Sequence, residues 1–173
     1  NSRFKNNTAS GNFSGGAIYT NGILNVTNTE FINNTVTNVN SQGGAIRTYD
    51  NITYITNCSF DSNKVLGNNS TGASVLYCDA GDLIINGTVF NNNLAKGKYV
   101  TGGVIRIIGG AMVIDNCTFT KNKITGTDYG IGGVIGSLSG GVSILNSKFN
   151  SNIVNGTNTA VAAAIYIETA VLE

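Results

Sequence analysis

A short motif, Phe-x-x-Asn, recurs six times along the chain: Phe4 with Asn7, Phe31 with Asn34, Phe60 with Asn63, Phe90 with Asn93, Phe119 with Asn122 and Phe149 with Asn152. A second motif keeps step with it. Gly15-Gly16-Ala17-Ile18 returns as Gly43-Gly44-Ala45-Ile46, Gly72-Ala73-Ser74-Val75, Gly102-Gly103-Val104-Ile105, Gly132-Gly133-Val134-Ile135 and Ala162-Ala163-Ala164-Ile165. The aliphatic ends of these copies are 28, 29, 30, 30 and 30 residues apart. Two motifs in phase along a chain of 173 residues mean that one supersecondary unit is copied, and such a unit buries its apolar face only against its neighbours.

Within a copy the apolar residues alternate, which is the period of a strand and not the 3.6 of a helix. Alignment of the copies puts Ile18, Ile46, Val75, Ile105, Ile135 and Ile165 in one column. Leu24, Leu83, Met112, Val142 and Leu172 fill a second, where the second copy has Thr53. Val26, Ile55, Ile85, Ile114 and Ile144 fill a third, and the Phe residues a fourth. Val36, Val65, Ala95, Ile124 and Val154 follow five residues after the Phe column. The pattern predicts an all-β parallel β-helix of about six coils, with equivalent residues stacked at ~4.8 Å and a cylinder on the order of 29 Å long. Leucine-rich repeats share the period, but their Leu-x-x-Leu-x-Leu pattern is absent.

Composition agrees. The chain holds 27 Asn and 23 Gly, the residues that best tolerate left-handed backbone, and no Pro, Trp or His. With 41% hydrophobic residues it is a folding chain, not a disordered one. A net charge of +1 and no basic run speak against nucleic acid as a partner, and no apolar stretch is long enough to span a bilayer as a helix. The Asn of Phe-x-x-Asn is expected to form a ladder of stacked amides at one corner. Asn1, Asn28, Asn57, Gly87, Asn116 and Asn146, three residues before each Phe, predict a second ladder at another. Gly16, Gly44, Ala73, Gly103, Gly133 and Ala163 form a column without room for side chains.

The pairing of GGA[I/V] with FxxN, in stretches such as GGAIYTNGILNVTNTEFINN, resembles the repeats of adhesin-like right-handed parallel β-helix surface proteins. These include chlamydial polymorphic outer membrane proteins and, closer in Asn and Thr content, the adhesin-like proteins of methanogenic archaea. The resemblance covers the whole chain. It implies a pectate-lyase-like right-handed superhelix, displayed extracellularly on a cell surface, and carries no catalytic residues over. Right-handed parallel crossovers are also the general rule. Residues 1–173 read as a single β-helix domain, a fragment of a longer array.

Two surfaces are candidates for binding. Tyr54, Ile84 and Val113 fall between inward columns and form an outward apolar stripe, flanked by Ile52. The longest turns follow the Val36 column and carry Lys96, Lys98, Tyr99, Asp128 and Tyr129; irregular turns on a rigid scaffold are where recognition concentrates. Arg47 and Arg106 align with Tyr19, Leu76, Gly136 and Tyr166 in an outward column, where two guanidinium groups two coils apart either bracket an anion or, as is more common, keep the sheet face soluble.

Parallel β-helices also host polysaccharide lyases and hydrolases, whose chemistry needs converging carboxylates. Asp50 and Asp79, taken as equivalent positions two residues beyond Thr48 and Tyr77, together with Asp82 are the one group that qualifies, as a weak Ca²⁺ or acid–base candidate. Turn Asp more often bonds its own backbone. Cys58 and Cys117 share a column with Thr88 between them, ~9.6 Å apart and beyond disulfide reach. The sequence favours a non-catalytic adhesin-like segment that attaches to a glycan or protein of another cell. A passive stalk is the second reading and a polysaccharide-active enzyme the third.

Overall fold

The structure, a computed structural model, describes residues 1–12 and 14–172, with the side chains of 169–171 outside the description. Every helical or extended element among these residues is a strand, and strands pair in parallel from coil to coil. The chain is a parallel β-helix of about six coils built on three sheets. The first holds the Phe residues: Ser2–Lys5, Thr29–Ile32, Ser59–Asp61, Val89–Asn91, Thr118–Thr120 and Lys148–Asn150. The second begins after the ladder Asn and includes Thr35–Asn38, Lys64–Gly67, Leu94–Thr101 and Lys123–Ile131. The third is folded. Short strands such as Ile46–Thr48 and Thr53–Thr56 line its two halves, and the long strand Ile135–Leu145 runs through both.

The Phe strands after the first lie between two one-residue bends, and these bends account for part of the Asn content. Asn28, Asn57, Gly87, Asn116 and Asn146 have φ of 51, 52, 58, 51 and 47°; on the other side Asn6, Asn33 and Asn92 have 59, 52 and 53°, and Ser62, Lys121 and Ser151 take the same bend at 57, 54 and 53°. Asn enters this left-handed region more cheaply than most residues because its short amide satisfies the local backbone.

The Asn ladder runs from Asn7 to Asn152. In each interior member one amide hydrogen goes to the next coil's Asn and the other to a Phe carbonyl of the coil before. Asn93 Nδ2, for example, donates to Asn122 Oδ1 at 2.9 Å and to the Phe60 carbonyl at 3.0 Å. Its own Oδ1 accepts from the Asn63 backbone N–H at 2.9 Å and from Asn63 Nδ2 at 3.1 Å. The same pattern holds Asn34, Asn63 and Asn122. Asn34, Asn63, Asn93 and Asn122 are fully buried and their amides fully paired.

The second Asn column is not a ladder. Among the described residues no side-chain hydrogen bond joins Asn28, Asn57, Asn116 and Asn146 to one another, because their left-handed φ turns the corner and sends their amides outward. Asn146 Nδ2 instead donates to Asp115 Oδ1 of the coil before, at 2.9 Å, and the other cross-coil side-chain bonds at this corner come from the column of the next residue, Thr29, Cys58, Thr88, Cys117 and Ser147. The Cys58 N–H donates to Thr88 Oγ1 at 3.2 Å and the Cys117 N–H to Ser147 Oγ at 3.1 Å. Each of the five also donates its hydroxyl or thiol to the carbonyl two residues earlier, at 2.7–3.2 Å.

The core is a set of stacks. Six Phe rings from Phe4 to Phe149 lie within 9° of parallel to their neighbours, with centroids 4.6–5.1 Å apart. Ile46, Ile55, Leu83, Ile85, Ile105, Met112 and Ile114 fill the rest, all buried as the alternation predicts. The third coil corrects the alignment by one residue. Leu76, not Val75, pairs with Ile46 and Ile105, so the turn before it is longer by one than the motif suggests. Ser74 rather than Ala73 then joins the small-residue column. Around it the walls do meet: a Cβ on Gly44 would lie 2.1 Å from the Ser74 carbonyl oxygen, and one on Gly103 2.1 Å from that of Gly133.

Candidate functional site

The turn edge is where the regular coil gives way. Leu94–Thr101 and Lys123–Ile131 pair along their length with a register shift between Gly97 and Tyr99. Beyond the shift Tyr99 pairs with Tyr129, and their rings stack with centroids 5.5 Å apart. Lys98 Nζ lies 4.9 Å from the Tyr99 centroid. The hydrogen bond to Tyr99 pushes the Lys98 pKa up. Asp128 accepts a hydrogen bond from Asn158 Nδ2 of the next coil, which fixes the turn beside Tyr129.

Next to this pair lies a cleft of about 310 Å³ lined by Leu66, Gly67, Asn68, Lys96, Gly97, Lys98 and Thr127. Its floor needs small residues, since a Cβ on Gly67 or Gly97 would come within 2.3 or 2.8 Å of the Thr71 side chain. The five turn residues singled out by sequence are thus brought to one edge: Lys96 and Lys98 in the cleft, Tyr99, Asp128 and Tyr129 along its side. Two cations, a stacked pair of phenols and an open groove can hold a polar ligand with a flat or acidic face.

Tyr54, Ile84 and Val113 stand in register on adjacent strands. All three are half-buried, with Ile52 beside them, so the apolar stripe exists as a narrow, partly sunken band.

The carboxylates do not converge. The one-residue offset in the third coil pairs Tyr77 with Arg47 and Cys78 with Thr48, which sets Asp79 opposite Tyr49 and not Asp50. Asp79 instead takes an ion pair from Arg47, with Arg47 Nε donating at 2.9 Å. Asp82 accepts from the Ala111 backbone N–H at 2.9 Å. Among the described residues no group of three acidic, Cys or His side chains is placed to hold a metal ion, so the Asp50, Asp79 and Asp82 candidate for Ca²⁺ loses its geometric basis.

That ion pair belongs to an arrangement the sequence alignment missed. With the register corrected, one column of the third sheet reads Tyr19, Arg47, Tyr77, Arg106, Gly136, Tyr166. Arg47 Cζ lies 5.9 Å from the Tyr19 centroid and 5.5 Å from that of Tyr77. Arg47 is therefore not a solvated surface charge; it is 5% exposed, sandwiched between rings and neutralised by Asp79. Burial pushes the Tyr77 pKa up, against the pull of Arg106. The alternation of cation and ring was hidden because Leu76 had been placed where Tyr77 belongs.

All three thiols are free and buried, and burial raises each pKa, which keeps them protonated and unreactive. No helix among the described residues is long and apolar enough to cross a membrane. No protein-family model matches the chain, and no curated protein or solved structure matches it either.

Proposed function

We propose that this chain is a non-catalytic segment of an adhesin-like extracellular surface protein, and that its turn edge attaches to a glycan or protein of another cell. The observation that carries the reading is the cleft beside the stacked Tyr99 and Tyr129, with Lys96 and Lys98 in its wall. It sits on a scaffold whose every coil is fixed by ladder and stack, so the edge is preorganised and binding costs little ordering. The resemblance of the GGA[I/V] and FxxN repeats to surface adhesin-like proteins, including those of methanogenic archaea, supports the extracellular placement. Tyr54, Ile84 and Val113 are the second candidate face.

A passive stalk is the competing reading, favoured by the unbroken Phe stack from Phe4 to Phe149, which suits a rigid spacer. A glycan array and a panel of intact cells, probed with the folded protein, separate the two. Binding lost in Tyr99→Ala/Tyr129→Ala and kept in Tyr54→Ala/Ile84→Ser supports the edge; the reverse result moves the site to the stripe. Uniform absence of binding supports the stalk.

A further inference from the structure

We propose that the gap at Gly136 is a seat for one aromatic side chain of a partner polypeptide, held between Arg106 and Tyr166. The column Tyr19, Arg47, Tyr77, Arg106 places a cation or a ring at every coil until Gly136, which has no side chain, and then resumes with Tyr166. A cavity of about 170 Å³ opens at that point, with Arg106, Gly136 and Tyr166 in its lining and Ile131 and Leu138 as apolar walls.

Its dimensions select the occupant. Arg106 and Tyr166 are two coils apart, roughly 9.6 Å at the ordinary strand spacing. The Phe stack shows that this fold accepts one ring per coil at 4.6–5.1 Å, so a gap of one coil takes one ring. The volume is below the ~300 Å³ where ordinary small-molecule sites begin, and suits a single side chain.

Its chemistry selects further. Tyr77, one seat along, shows what the column accepts next to Arg106: a phenol ring, paired with Arg106 in register and stacked on Arg47. The face of a guanidinium attracts the π-cloud of a ring, whereas a pyranose offers only C–H groups to it. The seat shares no lining residue with the turn-edge cleft and stands whether or not that edge binds.

The test is an NMR titration of the protein with N-acetyl-tyrosinamide, N-acetyl-leucinamide and methyl glucoside, each to about 20 mM, a range chosen for the millimolar affinity expected of one ring. Saturable shifts centred on Gly136 with the tyrosine derivative alone are expected. They should weaken about five-fold in Arg106→Gln and in Tyr166→Leu, and vanish in Gly136→Tyr, which fills the seat from within. A Cβ at Gly136 meets Gly102 Cα at 3.1 Å, so Gly136→Ala is the milder variant if the Tyr variant does not fold. No saturation by the tyrosine derivative, equal binding of the leucine derivative, preference for the glucoside, or indifference to Arg106→Gln would each overturn the proposal.

Discussion

Asn63 and Asn93, both fully buried, are joined by a hydrogen bond of 3.1 Å from Asn63 Nδ2 to Asn93 Oδ1, and the same oxygen takes the Asn63 backbone N–H at 2.9 Å. Two donors of one coil thus depend on one side chain of the next. Asn93→Ala strands both, and leaves the Phe60 carbonyl and Asn122 Oδ1 each short of a donor. The expected cost is ~4 kcal/mol, since each buried orphan costs about 1–3 kcal/mol before relaxation. Asn7→Ala, at an exposed end of the ladder, should cost under about 1.5 kcal/mol. Denaturant unfolding of the two variants checks the ratio.

Phe90 is clamped between Phe60 at 5.1 Å and Phe119 at 4.6 Å. Phe90→Ala should cost about 3–5 kcal/mol, and Phe90→Leu less because part of the volume remains. Cooperativity should fall as well, because each coil transmits stability only to its neighbours. Broadening of the thermal transition measures this.

Cys58 and Cys117 occupy a column otherwise filled by Thr and Ser, and make the same bond to a carbonyl two residues earlier. Cys58→Ser and Cys117→Ser should therefore cost little at pH 7, whereas Cys58→Val, which cannot donate, should cost more. The raised thiol pKa values also fix a pH effect. The unfolded thiols begin to ionise near pH 8.5 while the buried ones remain protonated. The fold then holds more protons than the unfolded chain, so this stabilisation is complete below about pH 8.5 and lost as pH rises toward the folded pKa. The slope is at most about 1.4 kcal/mol per pH unit per thiol. The double Ser variant should lose less Tm between pH 7 and 9.5 than the wild type.

Ala162 stands at φ 52°, where Gly43, Gly102 and Gly132 occupy the matching bend with φ of 62, 85 and 97°. A Cβ is strained there, so Ala162→Gly should raise stability by ~0.5–1 kcal/mol despite the added chain entropy. Gly44→Ala should do the opposite, by about 3 kcal/mol, because its Cβ would press on the Ser74 carbonyl. Tm values of the two variants should move in opposite directions.

The fold was legible because the ladder Asn, the Phe stack and the inward aliphatics recur at one period, and each repetition is fixed by the same contacts. Legibility failed at the third coil. Val75 and Leu76 are both buried, so apolarity alone does not say which continues the Ile46 column, and the Gly72-Ala73-Ser74-Val75 string mimics the motif one residue early. A slip of one residue exchanges faces. It hid the Tyr77 ring between Arg47 and Arg106, the Arg47–Asp79 ion pair and the separation of Asp50 from Asp79. The alignment does put Cys58, Thr88 and Cys117 in one column, but their common role stays hidden, because Thr, Cys and Ser look unlike although they donate alike. The turn-edge residues were found by irregularity, but the stacking of Tyr99 on Tyr129 depends on a register shift that no spacing reveals.

The most direct test of the attachment role is saturation binding of the folded protein to the glycans and cells that retain it, set against Tyr99→Ala/Tyr129→Ala of matched Tm. Our account predicts saturable binding by the wild type and at least about a ten-fold loss in the variant, as for an interface anchored on two aromatic residues. Binding that is undiminished in the variant, or no binding to any glycan or cell, would contradict it.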